Sequence, residues 1–323
     1  MINFLLATQR VESTMGITLN RLVRYFLYAG SYLLAVALGA GAGYAMGSFV
    51  NSPGIPGLIG AVTGFGLCGY FLHWSRRTRL YQYWAPHLTL FGRLAGNQTI
   101  PAGKQQLAYG RKQVKRLFDS PSALCQLQVN CAEVLQELFV RQLNLESIAS
   151  LPVIGTGLKI SFDVLAGPLR DALLTLSLAD DVTNPWADMK ANLELASSRL
   201  RAIQTSLLLV IVMQIIGCAL AFTVWYVGID WLTDHWPEVN LLGWKLLITG
   251  LLAWAMYAVF VYPIAVNALL GEILKIKNTD QPVVVSEGLS ALPAYNEIVS
   301  QADNDSVAEQ QLAEQQDSDD QGD

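Results

Sequence analysis

The residues that could carry chemistry are few in this chain and widely spaced. Four cysteines and three histidines occur among 323 residues. They do not repeat at the close spacing that a metal site requires, and Cys125 and Cys131, six apart on a predicted helix, point in different directions. The sequence also places no nucleophile beside a recognisable base. We therefore expect no enzymatic activity, no metal and no cofactor.

One glycine-rich stretch with a lysine, GTGLKIS at 155–161, has part of the composition of a phosphate-binding loop. It lacks the spacing of the GxxxxGK[ST] motif, and no valine-rich strand precedes it, so we reject a phosphate site. Leucines recur here at helical spacing, and Gly167-Pro168 predicts a bend. The segment 151–179 is predicted to be an amphipathic helix, which either packs within a domain or lies in a membrane interface.

Long uncharged runs dominate the sequence. No Asp, Glu, Lys or Arg occurs in residues 25–72, 202–229 or 246–271. A helix needs about 20 residues to cross a bilayer. The first run can therefore cross twice, with a break at the proline- and glycine-rich NSPGIPG. We predict an all-α polytopic membrane protein, in which four transmembrane helices form two hairpins that flank a cytoplasmic helical domain. The predicted spans are 25–47, 55–74, 205–229 and 242–270.

The basic residues predict the orientation. Of the 21 lysines and arginines, all except Lys245 lie before the first span, between the hairpins or after the fourth span. Cytoplasmic loops are enriched in basic residues, so both termini should be cytoplasmic, in a plasma membrane such as the bacterial inner membrane. Arg76, Arg77 and Arg79 should lie against anionic headgroups. A single-stranded nucleic-acid surface has a similar composition, but membrane anchoring already explains it, and we expect no nucleic-acid partner.

Ten glycines occur between residues 36 and 70. In lipid the hydrophobic effect does not press helices together, and small residues that allow close backbone approach take its place. The spacing of four predicts that these glycines pack the first hairpin or join copies of the chain. The predicted helix-packing residues are Gly39, Gly43, Gly47, Gly60 and Gly64.

Charged residues are absent from the interior of the predicted spans, and Gln214 is the polar side chain nearest the middle of the bilayer. Transport pathways usually contain ionisable residues. We therefore expect Gln214 to form a hydrogen bond between helices, with contact to a transported solute as the alternative.

The polar segments give three further predictions. Ser120-Pro121 and Asn184-Pro185 are typical helix starts. After the second of these, apolar residues recur every three or four positions, which predicts one continuous helix over 185–229, projecting as a stalk with a seam for a partner helix. The last 46 residues, from Asn278, contain 11 acidic and no basic side chains, a composition typical of a disordered tail.

These features predict a scaffold or assembly component that binds partner proteins through its cytoplasmic domain and forms a homo-oligomer or a complex with other membrane proteins. The alternative is an oligomeric channel or transporter. The layout resembles that of stator proteins related to flagellar MotA, in topology only, and this resemblance implies no activity. The predicted segments are a cytoplasmic N-terminus (1–24), a glycine-rich hairpin (25–74), a cytoplasmic helical domain (75–204), a second hairpin (205–270) and a disordered acidic tail (271–323).

Overall fold

A computed structural model describes residues 2–49, 52–145, 152–179, 181–234, 242–279 and 288–320. The described residues contain α-helices and two π-helical turns and no strand, which confirms the all-α class. The first seven helices are α1 (Phe4–Ser13), α2 (Met15–Ser48), α3 (Gly54–Trp74), α4 (Arg76–Arg79), α5 (Ala85–Ala95), α6 (Gln105–Leu117) and α7 (Pro121–Gln142). The others are α8 (Pro152–Leu165), α9 (Gly167–Leu176), α10 (Pro185–Ser198), α11 (Leu200–Thr233), α12 (Leu242–Met256), α13 (Tyr262–Lys277) and α14 (Pro293–Asp320). The π-helical turns are Leu80–Trp84 and Tyr257–Val261.

Four of the described helical stretches are long and apolar enough to cross a membrane, which indicates a multi-pass membrane protein. They are α2, α3, α11 and the continuous stretch Leu242–Lys277, which joins α12, a π turn and α13. Each contains one predicted span. The first helix, α2, begins at Met15, which is ten residues before the predicted start of the first span at residue 25. Asn51 of the predicted turn lies outside the described residues.

Contacts divide the chain into two units, each built from separate stretches of sequence. The apolar unit comprises Met15–Arg79 and Val212–Pro263, and the polar unit comprises Met1–Thr14, Leu80–Ile211 and Ile264–Asp323. The polar unit is thus not formed by residues 75–204 alone, because α1 and the chain after Pro263 also belong to it. Much of α13 is buried, although it also belongs to the fourth stretch that is long and apolar enough to cross a membrane. Its buried side chains include Ala265, Val266, Leu269, Leu270 and Ile273.

The predicted helix starts in the polar unit are confirmed by their capping bonds. The hydroxyl of Ser120 accepts a hydrogen bond from the Ala123 amide at the start of α7. The side-chain oxygen of Asn184 accepts from two amides in the first turn of α10. One face of α7 is apolar and buried, and its residues include Leu124, Leu127, Cys131, Val134 and Leu138.

The prediction of one continuous stalk helix over 185–229 is wrong. Arg199 leaves helical geometry, with φ −120° and ψ 19°, so that α10 ends before it and α11 begins after it. The seam of α10 packs within the polar unit, largely against α14, and its buried residues include Trp186, Met189 and Leu193. The partner that the seam requires is therefore supplied by the same chain.

The prediction of a disordered tail is also wrong for the residues that pack in the polar unit. The tyrosine hydroxyl of Tyr295 donates to a carboxylate oxygen of Glu194 at 2.5 Å, and the amide of Asn184 donates to the Ala302 carbonyl at 2.9 Å. Averaged over 46 residues the tail is acidic and polar, but it contains one apolar stripe at helical spacing. Its buried members are Leu289, Leu292, Tyr295, Ile298 and Ala302. Residues 280–287 of the predicted tail lie outside the described residues.

The segment predicted as one amphipathic helix forms two helices, α8 and α9, which meet at Ala166, next to the predicted bend. Residues 155–161 are helical and form no loop. Leu169, Leu173 and Leu174 of α9 are fully buried, so α9 is a core helix of the polar unit. The alternative of a helix lying in the membrane interface is therefore wrong for residues 167–176.

Candidate functional site

The five predicted packing glycines lie together where α2 contacts α3. A Cβ atom added to Gly39 would overlap the carbonyl of Gly60, and one added to Gly60 would overlap the carbonyl of Gly39. The same overlap joins Gly43 to the Pro56 carbonyl and Gly64 to the Ala35 carbonyl. These contacts bring backbone against backbone over several turns, an approach that side chains would prevent.

Other glycines of the same helices do not share this role. A Cβ atom at Gly41 of α2 or at Gly66 of α3 would meet no atom within 4 Å. Gly47, by contrast, does share the role: near the end of the helix pair, an added Cβ would lie 2.7 Å from the Cα of Pro53. The two helices therefore use the glycines of one face, and the face is set by the spacing of four that the sequence shows.

Gln214 lies in α11, and only 7% of its surface is exposed. The hydroxyl of Tyr257, in the π turn, donates to its side-chain oxygen at 2.6 Å. Three residues further along α11, a Cβ atom added to Gly217 would lie 2.9 Å from a methyl group of Val261. The one amide near the middle of the predicted third span thus bonds to another helix at a close helix-helix contact.

The π turn at Tyr257–Val261 leaves one backbone acceptor without a partner in its own helix. The amide of Tyr262 donates to the Tyr257 carbonyl, which is five residues back. In a regular α-helix this amide would donate to the Ala258 carbonyl instead. The next possible donor to Ala258 is residue 263, which is proline and has no N–H. A carbonyl in this position, if buried, needs a donor from elsewhere.

Arg21 of α2 is that donor. Its Nη2 atom donates to the Ala258 carbonyl at 2.8 Å, and its side chain is buried, with 4% of the residue exposed. The guanidinium also lies 5.8 Å from the ring centre of Tyr25. A buried arginine therefore ties the start of α2 to the π turn, a contact that the sequence analysis did not identify. Pro263, within a predicted span, was the available signal, because proline in a helix frees a backbone carbonyl.

Lys245 of α12 forms ion pairs with two carboxylates. Its ammonium lies 2.6 Å from a carboxylate oxygen of Asp230 in α11 and 4.0 Å from one of Asp234, directly after α11. Together with the Gln214 bond, this ion pair joins α11 to the following helical stretch at two separated points. The Gln214 hydrogen bond and the Lys245 ion pair thus both join α11 to the stretch that follows it.

The three predicted lipid-surface arginines belong to the short helix α4, directly after α3. Arg77 is exposed, whereas Arg76 and Arg79 are half-buried. Arg79 donates to the Leu72 carbonyl at the end of α3, and its guanidinium lies 5.2 Å from the ring centre of Tyr28 in α2. Arg79 therefore fixes one end of the α2–α3 pair, while Arg76 and Arg77 stand beside it.

The polar unit contains a buried carboxylate, Asp171 of α9, of which 1% is exposed. One oxygen accepts from the Trp84 ring nitrogen at 2.7 Å, and the other accepts from Gln128 at 3.1 Å and from Arg170 at 3.0 Å. These donors come from three elements, and together they compensate for the burial of the charge. The group is therefore arranged to join helices, and no spacing in the sequence reveals it.

The histidines and cysteines of the described residues belong to no cluster that could hold a metal ion. Burial raises the pKa of the Cys131 thiol to about 12, so this cysteine is not a nucleophile near neutral pH. The ring of His87 is buried, and its Nε2 atom lies 2.9 Å from the hydroxyl oxygen of Thr14. Among the described residues, no three His, Cys, Asp or Glu side chains lie close enough to hold a metal ion.

Comparison with known proteins identifies no matching family model, no matching curated protein and no matching solved structure.

Proposed function

We propose that the protein is an integral membrane scaffold or assembly component. In this proposal the four long apolar helices cross a plasma membrane, such as the bacterial inner membrane, as two hairpins. The glycine contacts hold the first hairpin, and the Gln214 and Lys245 contacts hold the second. Both termini and the polar unit lie in the cytoplasm, where the polar unit binds partner proteins, and copies of the chain or other membrane proteins associate with the helices.

The observation that carries this proposal is the bond between Tyr257 and Gln214. A transport pathway needs polar groups that face the solute. Here the most central amide is buried, and its oxygen is occupied by a donor on a neighbouring helix. Arg21 and Lys245 are likewise engaged in contacts within the chain. These engagements favour a structural role over the alternative of a channel or transporter.

Quantitative affinity capture tests the partner-binding role. Cells that express the tagged full-length chain at native level would be cross-linked, and the membranes solubilised in mild detergent. We expect the same partner proteins to be recovered in amounts comparable to the chain in independent detergents. A membrane protein of similar length, carrying the same tag, is the control. Recovery of this chain alone, with no reproducible partner above that control, would contradict the scaffold role.

A further inference from the structure

We propose that the apolar unit binds one anionic phospholipid, with an acyl chain in a groove between α2 and α3 and its phosphate beside Arg76, Arg77 and Arg79. This inference depends on the membrane location of the helices. It does not depend on the scaffold role, and the two can fail separately.

The groove has a volume of about 840 Å³ and follows the contact between the two helices. Its floor consists of small residues, because the glycines at the helix contact have no side chains that could fill the groove. Its walls consist of larger, exposed side chains, which are Leu38, Met46, Ile59, Leu67 and Phe71.

The length and chemistry of the groove suit a hydrocarbon chain. Its lining on α2 extends from Ser31 to Met46, which corresponds to about 22 Å of helix. One leaflet of a bilayer contributes about 15 Å of hydrocarbon, so an acyl chain from one leaflet can lie within it along its whole length. The lining contains no charged side chain, and its few polar groups include Ser31 and Thr63. A polar solute would therefore find almost no hydrogen-bonding groups here.

One end of the groove is positively charged. Leu72 and Phe71 line that end, and Arg79 is fixed there by its bond to the Leu72 carbonyl. Arg76 and Arg77 lie in the same short helix. Within the described part of the chain, no carboxylate forms an ion pair with any of the three. A phosphate is the group that arginine binds most effectively in this setting.

The occupant must therefore combine a long apolar chain with an anionic head, in that order along the groove. A phospholipid with a net negative charge has this form. A helix from a second copy of the protein could fill the apolar groove, but α2 and α3 would bring no negative charge to the arginines, since residues 25–72 contain no acidic side chain. Charge complementarity thus favours the lipid.

Native mass spectrometry of the purified full-length chain tests the proposal. The protein would be equilibrated with equal amounts of phosphatidylglycerol and phosphatidylcholine that carry identical acyl chains. We expect preferential retention of one phosphatidylglycerol. Replacing Arg76→Gln and Arg77→Gln together should lower this preference by about fivefold for each arginine removed. Replacing two exposed cations of α6, Lys112→Gln and Lys115→Gln, should leave it unchanged.

The acyl groove is tested by a matched pair of substitutions in α2. Ala42→Phe places a ring in the groove, whereas Ala37→Phe places one on an exposed position outside it. Only the first should abolish retention of the lipid, and Thr63→Phe on α3 provides a second blocking variant. Glycerol phosphate, which has the head but no chain, should not compete. Helical content and elution volume identify variants that fail to fold.

Three results would overturn the proposal. The first is equal retention of the two lipids by the wild-type chain. The second is equal loss of lipid in the folded Ala42→Phe and Ala37→Phe variants. The third is a dimer in the wild type that Ala42→Phe abolishes, because a second copy would then occupy the groove.

Discussion

The guanidinium of Arg21 donates to the backbone carbonyl of Ala258 at 2.8 Å, although 237 positions separate the two residues in the sequence. The acceptor exists because the Tyr262 amide donates to Tyr257 instead and because residue 263 is proline. A defect in one helix is therefore compensated by a buried cation from another. This pairing requires α2 and the fourth long helical stretch to lie side by side at the π turn.

Removing the cation should destabilise the apolar unit. Arg21→Met leaves the Ala258 carbonyl without this donor, and we expect a loss of about 1 to 3 kcal/mol in the free energy of unfolding. Pro263→Ala restores a backbone N–H and should recover part of this loss when combined with Arg21→Met. Unfolding in detergent, followed by circular dichroism, measures all four members of the cycle. Strictly additive effects would show that Arg21 and Pro263 do not act on the same carbonyl.

The glycine contacts predict a difference between neighbouring positions. Gly43→Leu and Gly64→Leu should each separate α2 from α3, because the added side chain would overlap the backbone of the facing helix. The expected loss is about 1 to 3 kcal/mol, comparable to overpacking of a core. Gly41→Leu and Gly66→Leu are matched controls, since an added Cβ there meets no atom within 4 Å. Equal thermal stability in detergent for the two pairs would show that the glycine face does not hold the helices together.

The proposed topology predicts which loops face the outside. Single cysteines at Ser52 and Thr233, in a chain whose own cysteines are replaced, should react with a membrane-impermeant maleimide added to intact cells. A cysteine at Lys112, on an exposed position of α6, should react only after permeabilisation. The distribution of 21 basic residues is the reason for this expectation. The opposite labelling pattern would reverse the orientation, and with it the cytoplasmic placement of the polar unit.

Docking of α14 should weaken at alkaline pH. Burial, and next the hydrogen bond to Glu194, raise the pKa of Tyr295 above its ordinary value. The packed state therefore retains a proton that the released segment loses above about pH 10, so the stability gained from this bond is present below that pH and declines as the pH rises further. Limited proteolysis between residues 288 and 320 should accelerate above about pH 10.

The matched variant for this effect is Tyr295→Phe, which cannot ionise. It should lose a hydrogen bond worth about 1 kcal/mol at neutral pH and show less acceleration of cleavage at high pH. Tyr70→Phe, an exposed tyrosine of α3, is the control. If Tyr295→Phe were cleaved with the same pH dependence as the wild type, ionisation of Tyr295 would not govern the release of α14.

The helices themselves could be predicted because their signals are local. Uncharged runs gave the four apolar stretches, and Ser120 and Asn184 gave the starts of α7 and α10. The spacing of four singled out the glycines that the structure brings together. Each of these features depends on residues within a few turns of one another, and periodicity reports such relationships directly.

The errors came from partners that are distant in the sequence. The seam of α10 was assigned to a stalk because nothing local shows that α14 covers it, and the tail was assigned to disorder because its apolar stripe is sparse. Arg21 was counted only among the basic residues that predict the orientation, and the packing of the π turn reveals the carbonyl to which it donates.

The central claim is that the polar groups of the long apolar helices hold helices together and do not form a path for solutes. Its most direct test is the flux of ions and small solutes through vesicles that contain the purified wild-type protein, beside Gln214→Leu. We expect no flux above that of empty vesicles, and a loss of about 0.6 to 2 kcal/mol in stability for the variant. Robust flux in the wild type that Gln214→Leu abolishes, with assembly intact, would contradict the claim and establish a channel or transporter.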